Sequence, residues 1–237
     1  MFHPEGPTFF QLLRQALSSV EEGYDLLAPR FDHTPFRTPD TILDAVDRRL
    51  EALGPVDAGL DLCCGTGAAL PLLRRRCRTR VVGVDLSQGM MDVARRAVAD
   101  EPGPPVTFHR ADATRLPYRE EFDLVVSFGA FGHVLERDEP ALVASVWEAL
   151  RPGGRFVFVT GERPRALSPG GLKARAFNAV MRVRNAVWDP PFVMYYLTFL
   201  LPRATELLRQ RGFEVQVERW LFGAPFERHA LVLATKI

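Results

Sequence analysis

The sequence predicts an α/β fold, an open and largely parallel sheet with helices packed on it and a ligand crevice at the strand ends. Three observations carry this. Between residues 59 and 160, short β-branched or apolar runs alternate with stretches of helical spacing. The first run, Gly59 to Cys63, leads through a turn containing Gly65 and Gly67 into a helical stretch from Ala68 to Arg76. Three of these runs carry a carboxylate at or near their ends, Asp61, Asp85 and Asp112, and a parallel sheet gathers such ends along one edge.

The turn comes first. Gly65 and Gly67 have no Cβ, so the backbone can take positive φ there and a ligand can approach the peptide plane. A dinucleotide turn would need a small residue where Leu70 stands, and no Gly-Lys-Ser/Thr follows for a P-loop. The second strand, Arg80 to Asp85, ends about twenty residues past Gly65, and its carboxylate can accept from both hydroxyls of a ribose. Ser87 is placed to cap the helix that follows.

The third strand is expected over Val106 to Ala113 and the fourth from Phe122, with a loop from Ser127 to Val134 after it. A helix over Asp138 to Leu150 stops at Arg151-Pro152-Gly153-Gly154, before a fifth strand from Arg155 to Thr160. Arg203 to Arg211, capped by Gly212, reads as a helix. Strands from Phe213 to Trp220 and from His229 to Thr235 follow it.

These motifs resemble those of the class I S-adenosylmethionine-dependent methyltransferases. Asp61-Leu62-Cys63-Cys64-Gly65-Thr66-Gly67 is similar to the family's D-x-G-x-G-x-G, with Cys63 in place of the first glycine. Asp85-Leu86-Ser87-Gln88-Gly89-Met90 matches D-[LI]-S-x-x-M. Ala111 to Tyr118 fits x-x-D-A-x-x-L-P-[FY], and Leu150 to Phe156 fits the L-x-P-G-G-x-[FL] junction. The resemblance is close over residues 24–160 and holds in outline over 203–237.

The resemblance implies a Rossmann-like sheet of seven strands in the order 3-2-1-4-5-7-6, the last antiparallel. It implies S-adenosylmethionine as cofactor and S-adenosylhomocysteine as product. Asp61, Cys63, Gly65, Thr66 and Gly67 would hold the donor at the first turn, and Asp85, Leu86 and Met90 at the second. Asp112 would accept from the adenine amino group, the Ala113 backbone would bind a ring nitrogen, and Ser127 and Phe128 would close the site after the fourth strand. Tyr24-Asp25 to Phe31-Asp32 resembles the Y-D-x-x-A-x-x-[YF]-D segment that covers the cofactor, although an ordinary helix end before Pro29 reads equally well.

At 237 residues the chain suits a single domain, divided here into a helical cap (1–54), a cofactor core (55–160), a lid insertion (161–202) and a closing helix with hairpin (203–237). A net charge of +1 leaves no electrostatic footprint of a nucleic-acid binder. Arg74, Arg75, Arg76, Arg78 and Arg80 read as a solvated helix end rather than an RNA patch, with no aromatic residues between them. Three cysteines without metal spacing favour a reduced, cytoplasmic protein that holds no metal. The start, Met-Phe-His-Pro-Glu-Gly-Pro, lacks the features of a leader. The longest apolar run, Phe192 to Leu201, is about ten residues, too short to span a bilayer.

Phe9, Leu12, Leu13, Ala16, Leu17 and Val20 fall at helical spacing and read most simply as a helix docked on the domain. An interfacial membrane helix is the lesser reading, because this segment carries little positive charge, but peripheral membrane contact stays open. So does the choice between monomer and homodimer.

The insertion, with a helical stretch from Ala174 to Val187 and Arg175, Arg182 and Arg184 turned outward, would choose the substrate together with Phe9 and Phe10; core filler or a dimer face is the plainer alternative. His133, just past the fourth strand, is the candidate general base, or else a structural histidine. Asp189-Pro190-Pro191-Phe192 spells a base-methylation motif at the wrong place in the chain and reads as coincidence. The expected acceptor is an apolar or aromatic small molecule such as a secondary metabolite, quinone or lipid precursor. A non-catalytic S-adenosylmethionine-binding module and an RNA or protein methyltransferase are the competing classes.

Overall fold

Strands β1 (Val56–Leu62), β2 (Cys77–Asp85), β3 (Val106–Arg110), β4 (Phe122–Ser127), β5 (Leu150–Gly161), β6 (Phe213–Glu218) and β7 (His229–Lys236) form one sheet. Their order is β3-β2-β1-β4-β5-β7-β6 in this computed structural model, which describes residues 3–237. Met1 and Phe2, the first residues of the amino-terminal start read above, lie outside the described residues. β1 to β5 run parallel, and β7 pairs antiparallel with both β5 and β6. Sheet order and strand directions are those expected.

Alternation along the strands builds two apolar layers, one on each face. Leu60, Leu62, Val82 and Val84 pack with α6 (Glu139–Ala149) and α8 (Leu201–Arg211). Val81, Leu124 and Val126 pack with α3 (Asp40–Glu51), α4 (Leu70–Arg76) and α5 (Gln88–Ala97). Burial on both sides explains why Ala58 to Leu62 are all inaccessible.

Several boundaries move. β3 stops at Arg110, so Asp112 lies in the loop beyond it, and β6 stops at Glu218. Pro152 to Gly154 do not precede β5 but form a bulge within it: Phe122 pairs with Leu150 while Leu124 pairs with Arg155. Gly153 takes a φ of 78° there, which a side chain would resist. Arg74, Arg75 and Arg76 end α4 as expected, with Arg75 and Arg78 exposed, but much of the basic cluster is paired. Arg74 donates to the Val98 and Gly103 carbonyls, Arg75 and Arg76 both pair with Asp47, and Arg80 pairs with Glu121.

The amino-terminal helices are α1 (Phe9–Leu17) and α2 (Val20–Leu27), followed by a 3-10 turn (Ala28–His33). Here a second expectation is overturned. The apolar stripe of α1 is not docked: Phe9, Phe10, Leu13 and Leu17 are exposed, and Gln15 is the buried residue. The reason lies in α2, where Gly23 has no side chain and Gln15 packs against it; a Cβ there would meet Gln15 and Phe192 at 3.0 Å. The insertion is helical over α7 (Pro169–Val187), starting five residues before the expected Ala174, with Ser168 capping it.

Candidate active site

β1 lies between β2 and β4, so the strand order reverses at its carboxyl end, the place where open α/β sheets bind ligands. Asp61 and Asp85 stand there. Asp61 is 2% exposed, and its Oδ2 has no hydrogen-bond partner. Burial, and then the nearby Asp85, push its pKa well above the usual carboxylate value. Asp85 accepts from the Gly65 N–H and the Ser87 N–H, both at 2.9 Å. Burial raises its pKa too, against those backbone donors.

The turn between β1 and α4 is left-handed at three residues, with φ of 58° at Cys63, 52° at Gly65 and 86° at Gly67. Cys63 thus keeps the conformation of the glycine it replaces in the family pattern. A Cβ on Gly65 would meet nothing within 4 Å, so the backbone faces open space. The Cys63 thiol is held neutral, its pKa raised first by burial and then by Asp85, Asp61 and Asp112, three carboxylates that share its surroundings.

The other expected contacts fall in different places. Asp112 is exposed and accepts from Thr114 N–H and Oγ1–H, both at 2.8 Å. Ala113 is buried beside it and Leu86 is exposed. Met90 is 1% exposed within the wall formed by α5. The Ser127 hydroxyl donates to the Leu62 carbonyl at 2.9 Å, tying β4 to β1, and Phe128 packs against the second core layer.

The segment left open between a cover and a plain helix end is fastened across the crevice. Asp25 accepts from the Ser87 hydroxyl at 2.6 Å and the Gly89 N–H at 2.8 Å, while Asp32 accepts from the Thr66 hydroxyl at 2.6 Å. Just before the first anchor, the Tyr24 hydroxyl lies 2.7 Å from His133 Nε2. His133 Nδ1 is 2.7 Å from the Val193 carbonyl, which can only accept, so Nδ1 carries the proton and Nε2 accepts from Tyr24. Burial lowers the His133 pKa despite the Val193 bond. Burial first, then Asp85, Cys63 and Tyr196, raise that of Tyr24. Near neutrality the pair is uncharged.

Phe192 covers it, 3% exposed and stacked 6.4 Å from Tyr24. The Asp189 to Phe192 run, far from β4 in sequence, therefore does reach the β4 loop in space, though through Phe192 packing rather than through Asp189, which is exposed. Two residues that the sequence reading missed set this up. Asn185 donates to the Phe192 carbonyl and accepts from its N–H, and Asn178 accepts from the Tyr196 N–H. Their seven-residue spacing puts both amides on one face of α7, a signal the sequence did contain. Arg184, expected to point outward, donates instead to the Ala16 and Ser18 carbonyls and so ties α7 to α1. Among the described residues, the one group of side chains close enough to share an ion is His3, Glu5 and His33, all exposed.

Fold and site together define a methyltransferase, and the chain belongs to the class I S-adenosylmethionine-dependent methyltransferases. A family model for a methyltransferase domain matches residues 60–154. A demethylmenaquinone methyltransferase of Deinococcus radiodurans is 30% identical over 218 residues, 86% of this chain and 89% of that one. Another, of Symbiobacterium thermophilum, is 34% identical over 114 residues, 46% of this chain and only 45% of that relative. The crystal structure of magnesium protoporphyrin IX methyltransferase from Synechocystis PCC 6803 shares the fold, with a TM-score of 0.63 at 17% identity over 97% of this chain and 94% of that one. No helix among the described residues is long and apolar enough to cross a membrane.

Asp61 yields a prediction that needs no acceptor. An acid whose folded pKa is raised contributes stability below its unfolded value, about 4, and that contribution is lost as pH rises through the folded one. Asp61→Asn removes the titration. Thermal melts of the free protein should show the wild type losing ground to the variant from pH 4 upward, and parallel curves would count against a strained Asp61.

Proposed function

We propose that the chain transfers the methyl group of S-adenosylmethionine to an apolar or aromatic small molecule, with Tyr24 facing the acceptor and His133 behind it. The observation that carries this reading is the uncharged Tyr24–His133 pair held near Asp85, whose neighbour Asp61 leaves a buried oxygen unsatisfied. The cofactor fits the residues present. The buried, partnerless Asp61 Oδ2 suits the donor's ammonium group, and the open backbone of Gly65 suits close approach. Asp85 has lone pairs beyond its two backbone donors for ribose hydroxyls. Asp112 Oδ2 and the Ala113 backbone suit the adenine edge, and exposed Leu86 offers its face an apolar surface.

When bound, the cofactor supplies an electrophilic methyl carbon on a positive sulfur. The protein's part is to align the acceptor and exclude water, and a neutral wall of Tyr24, His133 and Phe192 does not oppose loss of that positive charge. An acceptor hydroxyl would pass its proton to the Tyr24 oxygen as the Tyr24 proton moves to His133 Nε2. The Nδ1–H bond to Val193 then holds the imidazolium in place. Two relatives are named for demethylmenaquinone, which makes a reduced quinone the first acceptor to try. Residues 161–202 act in this reading as the acceptor-side cover. Phe9 and Phe10, exposed on α1, drop out of it.

The test is transfer of labelled methyl to a panel of reduced quinones and phenols, with RNA and protein as controls. Label should pass into the organic phase. Label in the macromolecular fraction, or S-adenosylhomocysteine binding without any transfer, would overturn the reading in favour of the competing classes.

A further inference from the structure

The exposed apolar residues are not scattered. Of fifteen large exposed hydrophobic side chains among the described residues, ten lie in two stretches, residues 8–18 and 163–188. On α1 the stripe runs through Phe10, Leu13 and Leu17, and on α7 through Val180, Val183 and Val187, with Phe10 79% and Val187 76% exposed. The two stripes meet where the Trp188 indole N–H donates to the Leu17 carbonyl and Arg184 donates to the Ala16 and Ser18 carbonyls. A patch of this kind on a water-facing surface calls for a partner.

Charge says which partner. The same two stretches hold seven of the thirty basic residues and none of the twenty-nine acidic ones, in a chain whose net charge is only +1. Arg14, Arg163, Arg165, Lys173, Arg175 and Arg182 are exposed, and none pairs with a carboxylate among the described residues. Apolar stripes flanked by unpaired cations are the makeup of a surface that lies in a lipid interface, and anionic headgroups add to the attraction. A second copy fits less well, because a two-fold contact through this face would set the cations of one chain against those of the other.

We infer that α1 and α7 together form a docking surface for anionic membranes. Neither helix qualifies alone: α1 has the apolar face with a single cation, and α7 brings most of the charge. The inference rests on the surface and not on the identity of the acceptor.

Co-sedimentation tests it, using vesicles of phosphatidylcholine alone and of phosphatidylcholine mixed with phosphatidylglycerol. The protein should partition onto the anionic vesicles about tenfold more strongly, and lose that preference at about 0.5 M salt, where the screening length is short. The double variants Phe10→Ser with Val187→Ser, and Arg175→Gln with Arg182→Gln, should each weaken partitioning about tenfold. Unchanged S-adenosylhomocysteine affinity shows that they remain folded. Failure of the wild type to partition, or partitioning equal to that of the folded variants, overturns the inference. So does a stable dimer in light scattering that Val187→Glu dissociates.

Discussion

His133→Ala should lower kcat by about 10²–10⁴ while leaving the affinity for S-adenosylhomocysteine unchanged. The expectation follows from its bonds. Nδ1–H is committed to the Val193 carbonyl and Nε2 accepts from Tyr24, so the imidazole is held neutral with one lone pair aimed at the hydroxyl that would meet the acceptor. Tyr24→Phe keeps the ring that stacks on Phe192 but removes the hydroxyl, and it should reproduce most of the loss. The pH profile separates a base from a prop. Burial lowers the His133 pKa below its ordinary value of about 6.5, so the wild-type rate should hold down past that pH and then fall as the imidazole takes a proton. The His133→Ala variant should lack that acid limb. A fully active variant across pH would leave alignment and desolvation as the whole mechanism.

Asp85→Ala should weaken S-adenosylhomocysteine binding by about 2–3 kcal/mol, roughly 30- to 150-fold. The carboxylate is held toward the crevice by the Gly65 and Ser87 amides, and its remaining lone pairs suit the two ribose hydroxyls. Because those amides lose an acceptor, the variant should also melt earlier, so affinity is to be measured well below its melting point. An unchanged dissociation constant would remove Asp85 from the ribose.

Most of the sheet was legible, and for a definite reason. Strands buried on both faces are continuous apolar runs, and the turn glycines sit where φ turns positive, so Gly59 to Gly67 and Arg80 to Ser87 read directly from the residues. Boundaries failed where pairing overrode local chemistry. Pro152-Gly153-Gly154 has the composition of a turn, yet β5 keeps it as a bulge because Leu150 still pairs with Phe122.

Around the site, the residues within the sequence motifs were foreseen, but the contacts that assemble the cover were not. Asp25 and Asp32 act by reaching Ser87, Gly89 and Thr66, far away in the chain, and no local pattern encodes that reach. Asn178 and Asn185 could have been found from their spacing. The exposed stripe of α1 could not, because periodicity shows that a helix has an apolar face without showing what the face meets. Gly23 in the next helix decided that, by giving Gln15 a place to pack.

The central claim is that the strand-end crevice holds S-adenosylmethionine, and a calorimetric titration of the wild-type protein tests it most directly. S-adenosylhomocysteine should bind at one site per chain with a heat that Asp85→Ala diminishes, while NAD, whose turn would need a small residue at Leu70, should give none. Tight binding of NAD with no response to S-adenosylhomocysteine would contradict the account.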